Sequence, residues 1–553
     1  MSEKSALRKL LNLILLDKSE VTAIYFYAIL SGLVQLSLPV GVQAIIGFVM
    51  GATMVTSIYV LIFLVVLGVL MVGVMKINQM RIIEKIQQKI FMRYAFDFAE
   101  KIPRLDLQEM DKYYLPEKVN CFFDTLNVQK ALSKILLHIP TASIQILFGL
   151  LLLSFYHPIF IAFGVILIVI LYSILKLTSA SGLASSLEES SHKYAVVAWL
   201  EEMAKVIKSF KFSQGTHYNL HKTDVNLVKY IDARTSHFKV LLFQYKTLVF
   251  FKVAITAAML LVGTTLLINQ QLNIGEFIAA EIVILSVINA VEKLITNLDS
   301  AYDVLTGLEK LATITESPSE TDGNLVLNTD NGIDIQLKNV HFSYQKTTAV
   351  LSDLDMHIPA KSLVALTGKE QSGKSSLLKL LSGSYRHFEG SILYNFIPLQ
   401  NYELQSVRTA TGILLNLQEV FAGTVLENIT LGKKDISAEH IMSVAKEIGI
   451  QPFMSSLSNG FETKIDTAGK KLSTTSVKKI LLLRALVHRP ALLLLEEPWL
   501  GLEEETRDLI IRFLIRRAET DTVIVATNDE SFINKCSVVI EMNSGKAQIK
   551  KTR

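Results

Sequence analysis

Six long apolar stretches constrain the fold of this chain more than any other feature of its sequence. A helix needs about 20 predominantly apolar residues to cross a bilayer. The last stretch is the weakest, because Glu281, Glu292 and Lys293 interrupt it. We predict an all-α membrane domain of six spans over residues 21–312. The spans are predicted at residues 21–50, 54–74, 135–156, 158–175, 249–267 and 277–298.

The connections between the spans predict their orientation. Those that join spans one and two, three and four, and five and six are short and contain no Lys or Arg. The two long connections are basic, with Lys76, Arg81, Lys85, Lys89 and Arg93 in one and Lys193, Lys205, Lys208 and Lys211 in the other. Because cytoplasmic loops are enriched in Lys and Arg, we expect both termini and both long connections in the cytoplasm.

The long connections show helical spacing at residues 76–102 and 184–212, so the spans are predicted to continue into the cytoplasm as helices. We expect a turn-like break at the far end of each, at 113–117 around Pro116 and near 194–202. Each break is either a short transverse helix or a solvated hairpin tip. Residues 1–20 mix basic residues with leucines and lack a cleavage site, which favours an interfacial amphipathic helix.

Charge and cysteine content exclude some classes of function. The net charge of +4 over 553 residues is too small to indicate binding to nucleic acid. Two cysteines, Cys121 and Cys536, cannot form a disulfide framework, and each is interpreted as a buried small hydrophobic residue.

Residues 368–375 follow the P-loop pattern GxxxxGK[ST], between an apolar run at 362–367 and a helical run at 376–381. In this context backbone N–H groups and a helix N-terminus converge on an anion. Lys374 is predicted to reach the β- and γ-phosphates, and the Ser375 hydroxyl to ligate Mg²⁺. The sequence therefore predicts a nucleoside triphosphate site, formed by Gly368, Gln371, Ser372, Gly373, Lys374, Ser375 and Ser376.

The remainder of the chain predicts a second domain at residues 333–553, after a polar linker at 313–332. Short apolar runs alternate with helical stretches, which favours an α/β layer with a mainly parallel core. A helical insert is predicted around 438–456. The predicted strands include 333–337, 351–358, 411–415, 491–495 and 522–526.

Several further motifs occur in a fixed order around the P-loop. They are Phe342-Ser343-Tyr344, Phe421-Ala422-Gly423-Thr424-Val425-Leu426-Glu427-Asn428-Ile429, Leu472-Ser473, Leu483-Arg484-Ala485-Leu486 and Glu496-Glu497-Pro498. In this order they resemble the nucleotide-binding domain of ABC transporters, and the six preceding spans resemble the membrane half of an ABC exporter. Residues 274–279 are similar to the start of the last span in bacterial type I secretion and peptide exporters. Some of these exporters carry a peptidase domain, for which we expect no room before the first span of this chain.

The resemblance implies ATP and Mg²⁺ as cofactors and assigns roles residue by residue. Tyr344 would stack on adenine, and Glu497 would polarise the attacking water. Ser375, Glu496 and Asn416 would lie at the metal, with Gln418 as an alternative to Asn416. Ser473 of the signature motif would contact nucleotide and still fits a helix N-cap. Asn528 would be a catalytic residue at the position of the switch histidine.

Several positions depart from the family pattern. The Mg²⁺-associated aspartate is Glu496, the signature glycines are Thr474 and Thr475, the switch histidine is Asn528, and the D-loop aspartate is Glu503. Removing one preorganised donor typically costs about 10²–10³ in rate. We therefore expect ATP to be bound readily and hydrolysed poorly.

The resemblance implies an ATP-hydrolysing exporter half-transporter in a bacterial inner membrane, with its ATP-binding domain in the cytoplasm. Its implied partners are ATP, the lipid bilayer, a second half-transporter in a homodimer or heterodimer, and a periplasmic adaptor protein, without nucleic acid. The expected cargo is hydrophobic or polypeptide. Alternatives are a degenerate regulatory subunit of a heterodimer and a lipid flippase. Glu281 either faces the pathway, pairs with a residue such as Lys252, or is solvated near the outer surface.

Overall fold

The computed structural model describes residues 3–51, 55–111, 114–212, 216–344, 349–416 and 418–552. The chain forms two compact units. The first comprises Met1–Pro103 and Tyr114–Ser317, and the second comprises Arg104–Tyr113 and Pro318–Arg553.

Helices account for nearly all of the described residues before residue 316. In chain order they are α1 (Glu3–Leu16), α2 (Lys18–Gln35), α3 (Ser37–Met50), α4 (Val55–Lys101), α5 (Leu107–Met110), α6 (Leu115–Val119), α7 (Asp124–Tyr156), α8 (Ile159–Lys205), α9 (Ile207–Phe212), α10 (Tyr218–Ile268), α11 (Ile274–Thr296) and α12 (Leu298–Thr315). The short helix α5 belongs to the second unit and the others belong to the first.

Six segments of the described chain are long and apolar enough to cross a membrane, which confirms the predicted six-span architecture. Much of their apolar surface is not covered by protein; the Phe155 and Phe250 side chains, for example, are each 77% exposed. Exposed apolar surface costs roughly 25 cal/mol per Å² in water. These faces are therefore suited to lipid, and the chain is an integral membrane protein.

The first span differs from the prediction, because it consists of two helices that meet at Leu36. Pro39 lies in the first turn of α3, where its missing N–H costs no helical hydrogen bond. A continuous helix would have needed that N–H, so the proline accounts for the interruption.

The predicted helical continuations of the spans are confirmed, since α4 runs to Lys101 and α8 to Lys205. The predicted break near 194–202 is wrong, because α8 passes through it without interruption. This segment contains neither Gly nor Pro, and Trp199 is buried there with its Nε1 donating to Thr223 Oγ1 of α10 at 3.0 Å. The chain turns at Val206 instead and continues as α9.

The other predicted break, around Pro116, falls partly on residues 112 and 113, which lie outside the described residues. Helix α6 begins at Leu115 with Pro116 in its first turn. The short helix α5 lies just before the break and is capped by Asp106, whose side chain accepts from Gln108 N at 2.9 Å.

The sixth span begins at a capping box. The Asn273 side chain accepts from Glu276 N at 2.8 Å, and the Glu276 side chain accepts from Asn273 N at 2.9 Å. Such reciprocal bonds satisfy backbone donors that the helix leaves free. The acidic residue in the motif at 274–279 therefore has a structural role at the start of α11.

Of the alternatives considered for Glu281, pairing with Lys252 is not the one that the structure shows. The Lys252 ammonium lies 2.7 Å from Oε2 of Glu292, a residue further along α11. Glu281 keeps one buried carboxylate oxygen that has no hydrogen-bond partner among the described residues. Its role therefore does not depend on Lys252.

The described part of the second unit contains three sheets. Its strands are β1 (Ile335–Phe342), β2 (Leu351–Ile358), β3 (Leu363–Thr367), β4 (Glu389–Tyr394), β5 (Ile397–Pro398), β6 (Thr411–Leu414), β7 (Gly423–Thr424), β8 (Lys464–Ile465), β9 (Leu492–Glu496), β10 (Thr522–Ala526), β11 (Val538–Asn543) and β12 (Lys546–Thr552). The strand orders are β2-β1-β4-β5, β12-β11-β3-β10-β9-β6 and β7-β8. In the six-stranded sheet only the β11–β12 pair is antiparallel, which confirms the predicted mainly parallel α/β layer.

Helices separate these strands as predicted. They are α13 (Lys374–Leu381), α14 (Leu404–Ala410), α15 (Val425–Thr430), α16 (Ala438–Glu447), α17 (Gln451–Ser456), α18 (Thr474–Leu486), α19 (Glu504–Arg517) and α20 (Glu530–Ile533). The predicted helical insert at 438–456 corresponds to α16 and α17.

The parallel strands are buried on both faces, which explains their continuous apolar sequences. In β9, Leu493 and Leu495 pack into one core cluster, whereas Leu492 and Leu494 pack into the other. Both cysteines are buried in agreement with the prediction, Cys536 among the first of these clusters and Cys121 in the first unit.

Strand register places the functional residues at one edge of this sheet. Ala526 of β10 lies opposite Leu366 of β3 on one side and Glu496 of β9 on the other. The residues that follow these three strands therefore emerge together, and they include the P-loop and Glu497.

Candidate functional site

The P-loop connects β3 to α13 through a backbone that only glycine can follow at two positions. Gly368 has a φ of +137° and Gly373 a φ of +103°. A Cβ atom on Gly368 would lie 2.3 Å from the Met542 carbonyl oxygen, and one on Gly373 would lie 2.6 Å from Leu351 Cδ2. These two glycines let the chain turn tightly between strand and helix, so that its N–H groups can face one point.

The Lys374 ammonium lies over this loop. It donates to the carbonyl oxygens of Gly368 at 2.6 Å and Lys369 at 2.7 Å. Burial lowers the pKa of Lys374, while the nearby Glu497 and Glu496 carboxylates act in the opposite direction. The loop thus holds a partly buried cation next to two anions.

Two predicted metal-site residues lie in direct contact. Glu496 Oε1 accepts from Ser375 Oγ at 2.5 Å, and Glu496 Oε2 accepts from Asn416 N at 3.1 Å. The longer glutamate side chain therefore still reaches the P-loop hydroxyl. Carboxylate and hydroxyl oxygens are ligands that Mg²⁺ prefers, so this donor set fits that ion.

Asn416 and its alternative Gln418 differ in position. Asn416 lines the cleft described below, and its main-chain N–H donates to Glu496. Gln418 turns back into its own loop, where Oε1 accepts from Leu415 N at 3.2 Å. The structure brings Asn416 to the carboxylates and directs Gln418 elsewhere.

Glu497 stands on a strained turn directly after β9. Its φ is +43°, a left-handed conformation that a non-glycine residue rarely adopts, and its N–H donates to Ala526 O at 2.9 Å. Thr527 Oγ1 donates to Glu497 Oε2 at 3.0 Å. Strain and a hydrogen-bonded carboxylate are typical of a functional position.

Asn528 makes two hydrogen bonds with the first residue of the P-loop. Its Oδ1 accepts from Gly368 N at 3.0 Å, and its Nδ2 donates to Gly368 O at 3.1 Å. The residue at the switch-histidine position therefore lies at the cleft and holds the P-loop main chain.

These residues surround one cleft of about 950 Å³. A volume of this size accommodates a ligand such as a nucleotide. Five of the residues lining it come from segments that the sequence did not assign to the site: Ala349, Val350, Leu500, Ser544 and Gly545. The predicted residues that line it are Gln371, Ser372, Gly373, Lys374, Ser375, Ser376, Asn416, Glu496, Glu497 and Asn528.

Tyr344 lies beside this cleft rather than in its wall. Its hydroxyl is 3.0 Å from Ser376 Oγ. Its ring makes edge contacts with Phe342 and Tyr385, at centroid distances of 4.9 and 5.3 Å. The tyrosine thus joins the P-loop helix to a cluster of aromatic side chains.

Ser473 lies outside the cleft and caps α18. Its Oγ accepts from Ser476 N at 3.1 Å and lies within 3.0 Å of the hydroxyls of Thr475 and Ser476. The predicted helix N-cap is therefore present, and the Ser473 hydroxyl is occupied by its own segment.

Two distant motifs are joined by a network that sequence reasoning did not anticipate. Asn428 Nδ2 donates to Phe421 O at 2.9 Å and to Thr424 O at 3.0 Å, which closes the segment onto itself. Arg484 Nε then donates to Asn428 O at 2.7 Å. This network links residues 421–428, which follow β6, to α18, the helix that begins in the signature motif.

Two further site residues, Thr527 and Lys478, carried no recognisable sequence signal. Thr527 reaches Glu497 only because β10 lies beside β9, and Lys478 reaches the Glu497 carbonyl from α18 at 2.8 Å. Both contacts depend on strand register and helix packing, which no local pattern encodes.

Two family models match this chain. A model described as the ABC transporter transmembrane region matches residues 21–291, and a model described as ABC transporter matches residues 351–500. The two matches are consecutive, with the membrane region first.

Curated relatives match about half of the chain. An uncharacterized ABC transporter ATP-binding protein of Bacillus subtilis, YknV, is 28% identical over 53% of this chain and 48% of its own length. The alpha-hemolysin translocation ATP-binding protein HlyB of Escherichia coli O157:H7 is 28% identical over 51% of this chain and 40% of its own length. The chain thus spans about half the length of the curated relatives it matches.

A solved structure extends the similarity in fold over nearly the whole chain. It is a bacterial Atm1-family ABC exporter with ATP bound, which covers 96% of this chain and 94% of its own with a TM-score of 0.81. The two sequences are 18% identical, so this likeness concerns the fold alone.

Proposed function

Since the chain belongs to the ABC transporters, a family whose transmembrane and ATP-binding models match it in succession, we propose that it is one half of an ATP-driven exporter. It acts as a dimer, binds ATP with Mg²⁺ readily and hydrolyses it slowly. It lies in the cytoplasmic membrane of a bacterium, with the ATP-binding unit in the cytoplasm. Its cargo is hydrophobic or polypeptide.

One observation carries this proposal: three strand ends bring the P-loop, the Ser375–Glu496 pair and the strained Glu497 into one cleft. The cleft offers a cation, hydroxyl groups and loop N–H groups to a polyphosphate, and hard oxygen ligands to Mg²⁺. Bound Mg²⁺ would neutralise charge that develops on the transferred phosphoryl group.

The residues of the chain would share the chemistry as follows. Lys374 would exchange its loop carbonyl contacts for β- and γ-phosphate oxygens. Glu497 would orient the attacking water through a carboxylate that the Thr527 hydroxyl holds in place. Tyr344 would contact the adenine from the aromatic cluster beside the P-loop helix.

Two features support slow hydrolysis. The Ser473 hydroxyl is engaged within its own segment, and Thr474 and Thr475 carry side chains where the family has glycines, which limits close approach to a phosphate. Asn528 holds Gly368 and, as an amide, cannot supply the charge of an imidazolium. Because the signature motif and Asn528 would each stabilise the transition state less well than the family's residues, they favour ATP binding over ATP turnover.

The same features favour a second candidate function, in which the chain is the regulatory subunit of a heterodimer. A partner with an intact signature would then complete the site that contains this P-loop. Purification of the tagged chain from its own membranes distinguishes the two. A heterodimer would yield a second, different half-transporter in equal amount, whereas a homodimer would yield only copies of this chain. A periplasmic adaptor would be recovered with either form.

Steady-state ATP hydrolysis by the purified chain in lipid nanodiscs tests the main proposal. We expect saturable ATP binding together with turnover well below the roughly 10 per second of a typical enzyme. Glu497→Gln should abolish the residual turnover and leave binding intact, which excludes a contaminating ATPase. Turnover as fast as that of typical enzymes would contradict the account, as would activity that survives Glu497→Gln.

A further inference from the structure

Lys478 makes a contact that no predicted role explains. It lies on α18, and its ammonium donates to the Glu497 carbonyl oxygen at 2.8 Å and to the Leu500 carbonyl oxygen at 3.3 Å. The lysine thus bridges both ends of the short turn that follows β9. The neighbouring Lys479 points elsewhere, with its ammonium 5.6 Å from the centre of the Phe453 ring.

The turn from Glu497 to Gly501 needs such support. Glu497 and Gly501 both have positive φ angles, of +43° and +80°. Inside the turn, Leu500 N donates to the Glu497 carbonyl at 3.2 Å. A strained conformation persists only where its surroundings hold it, and a charged donor makes a stronger hydrogen bond than a neutral one.

The charge of Lys478 also has a local context. Burial lowers the pKa of Lys478, and the Glu497 and Glu496 carboxylates oppose this effect. Lys374 faces the same two carboxylates from the P-loop. The carboxylate pair therefore has a lysine on each of two elements, one at the cleft and one behind the turn.

We propose that Lys478 is a positioning residue for ATP hydrolysis, which clamps the Glu497–Leu500 turn through its carbonyl groups and so fixes the Glu497 carboxylate toward the cleft. This inference rests on the hydrolysis proposed above. It predicts that removing the ammonium loosens the turn and slows the chemical step, without weakening ATP binding.

Trp499 reports directly on this turn. It is buried against Phe532, with ring centroids 5.2 Å apart, and it is one of two tryptophans in the chain. In a Trp199→Phe background, acrylamide quenching of fluorescence therefore measures access to the turn alone. Lys478→Met should raise the quenching constant, Lys478→Arg should leave it near the starting value, and Lys479→Met should not change it.

Single-turnover hydrolysis tests the consequence for chemistry. With protein in excess over ATP, Lys478→Met should slow the chemical step about tenfold, the loss expected for one charge-assisted hydrogen bond. Affinity for a fluorescent ATP analogue should stay within about twofold, since Lys478 itself does not line the cleft. Lys478→Arg should recover most of the rate, and Lys479→Met should match wild type.

The outcomes separate the two proposals. ATP that fails to bind wild type, or that binds without any single-turnover product, would overturn the proposed function and this inference with it. Slow but measurable hydrolysis by wild type, together with unchanged quenching in Lys478→Met, would overturn this inference alone. An equal loss of rate in Lys479→Met would also overturn it, because the loss would then follow from removing any positive charge from α18 rather than from losing the contact with the turn.

Discussion

At the scale of single residues, Asn528 shows how a substitution can change a role. The position was expected to take part in catalysis, but its amide is bonded twice to the Gly368 main chain. A histidine could not donate and accept with the same paired geometry as a primary amide. The structure therefore connects Asn528 with the shape of the P-loop as well as with the cleft it lines.

Replacing Asn528 by Ala should weaken ATP binding. Loss of the two hydrogen bonds to Gly368 would free the start of the P-loop, at a cost of about 1–3 kcal/mol. We expect ATP affinity to fall roughly tenfold, since 1.4 kcal/mol corresponds to a factor of ten. Titration with a fluorescent ATP analogue measures this.

Asn534→Ala is the matched control for this prediction, because Asn534 is exposed and lies outside the cleft wall. Its affinity for ATP should equal that of wild type. Unchanged affinity in Asn528→Ala would show that the two bonds to Gly368 do not shape the site.

The P-loop residues could be predicted from sequence because their chemistry is local. A glycine-flanked turn between a strand and a helix positions Lys374 and Ser375 without help from distant segments. Thr527 and Lys478 could not be predicted in this way. Their contacts to Glu497 require β10 beside β9 and α18 behind the turn, which only the folded chain provides.

At the scale of elements, the segment that contains α5 is hydrogen-bonded to the aromatic cluster beside the P-loop helix. Tyr385 Oη donates to Asp111 Oδ2 at 2.5 Å, just after α5, and the Tyr385 ring contacts Tyr344. Burial and the neighbouring Asp111 raise the pKa of Tyr385, so the phenol remains a donor at physiological pH. Tyr344 in turn contacts Ser376 at the P-loop helix. A continuous chain of contacts therefore joins α5 to the cleft.

Tyr385→Phe should interrupt this chain of contacts while leaving the aromatic packing in place. We expect ATP to protect residues 104–111 from hydrogen exchange in wild type, and this protection to be largely lost in the variant. ATP affinity should change little, because Tyr385 does not line the cleft. Hydrogen exchange with and without ATP, read by mass spectrometry, measures both states.

Tyr402→Phe serves as the control for Tyr385→Phe. It removes another buried tyrosine hydroxyl, which donates to Tyr394 O at 3.0 Å, away from α5. Its ATP-dependent protection of residues 104–111 should match wild type. Equal protection in Tyr385→Phe and wild type would contradict a role for the Tyr385–Asp111 hydrogen bond.

Boundaries of helices and strands could be predicted where the local sequence determines them, and could not where contacts with distant residues determine them. The strand prediction at 522–526 coincides with β10, because four of the five residues in this run are β-branched, which favours a strand. The break predicted near 194–202 failed, because Trp199 and its partner Thr223 stabilise a continuous helix that local spacing does not reveal.

At the scale of the whole molecule, six apolar spans followed by a P-loop are enough to predict both units from the amino-acid sequence. Span length and hydropathy are averaged over about 20 residues, so a span can still be predicted when its helix is interrupted, as at Leu36. The departures at the signature and switch positions are also visible in the sequence. In the dimer proposed above, the consequences of these departures for the rate of hydrolysis would depend on the second subunit as well as on this chain.

We propose above all that the P-loop of this membrane-embedded protein holds ATP. Photolabelling of membranes that contain the chain with an azido-ATP, in wild type and Lys374→Ala, tests it most directly. We predict saturable labelling of residues in the second unit, competed by ATP and strongly reduced in Lys374→Ala. Absence of labelling in wild type, or equal labelling of both proteins that ATP does not compete, would contradict the account.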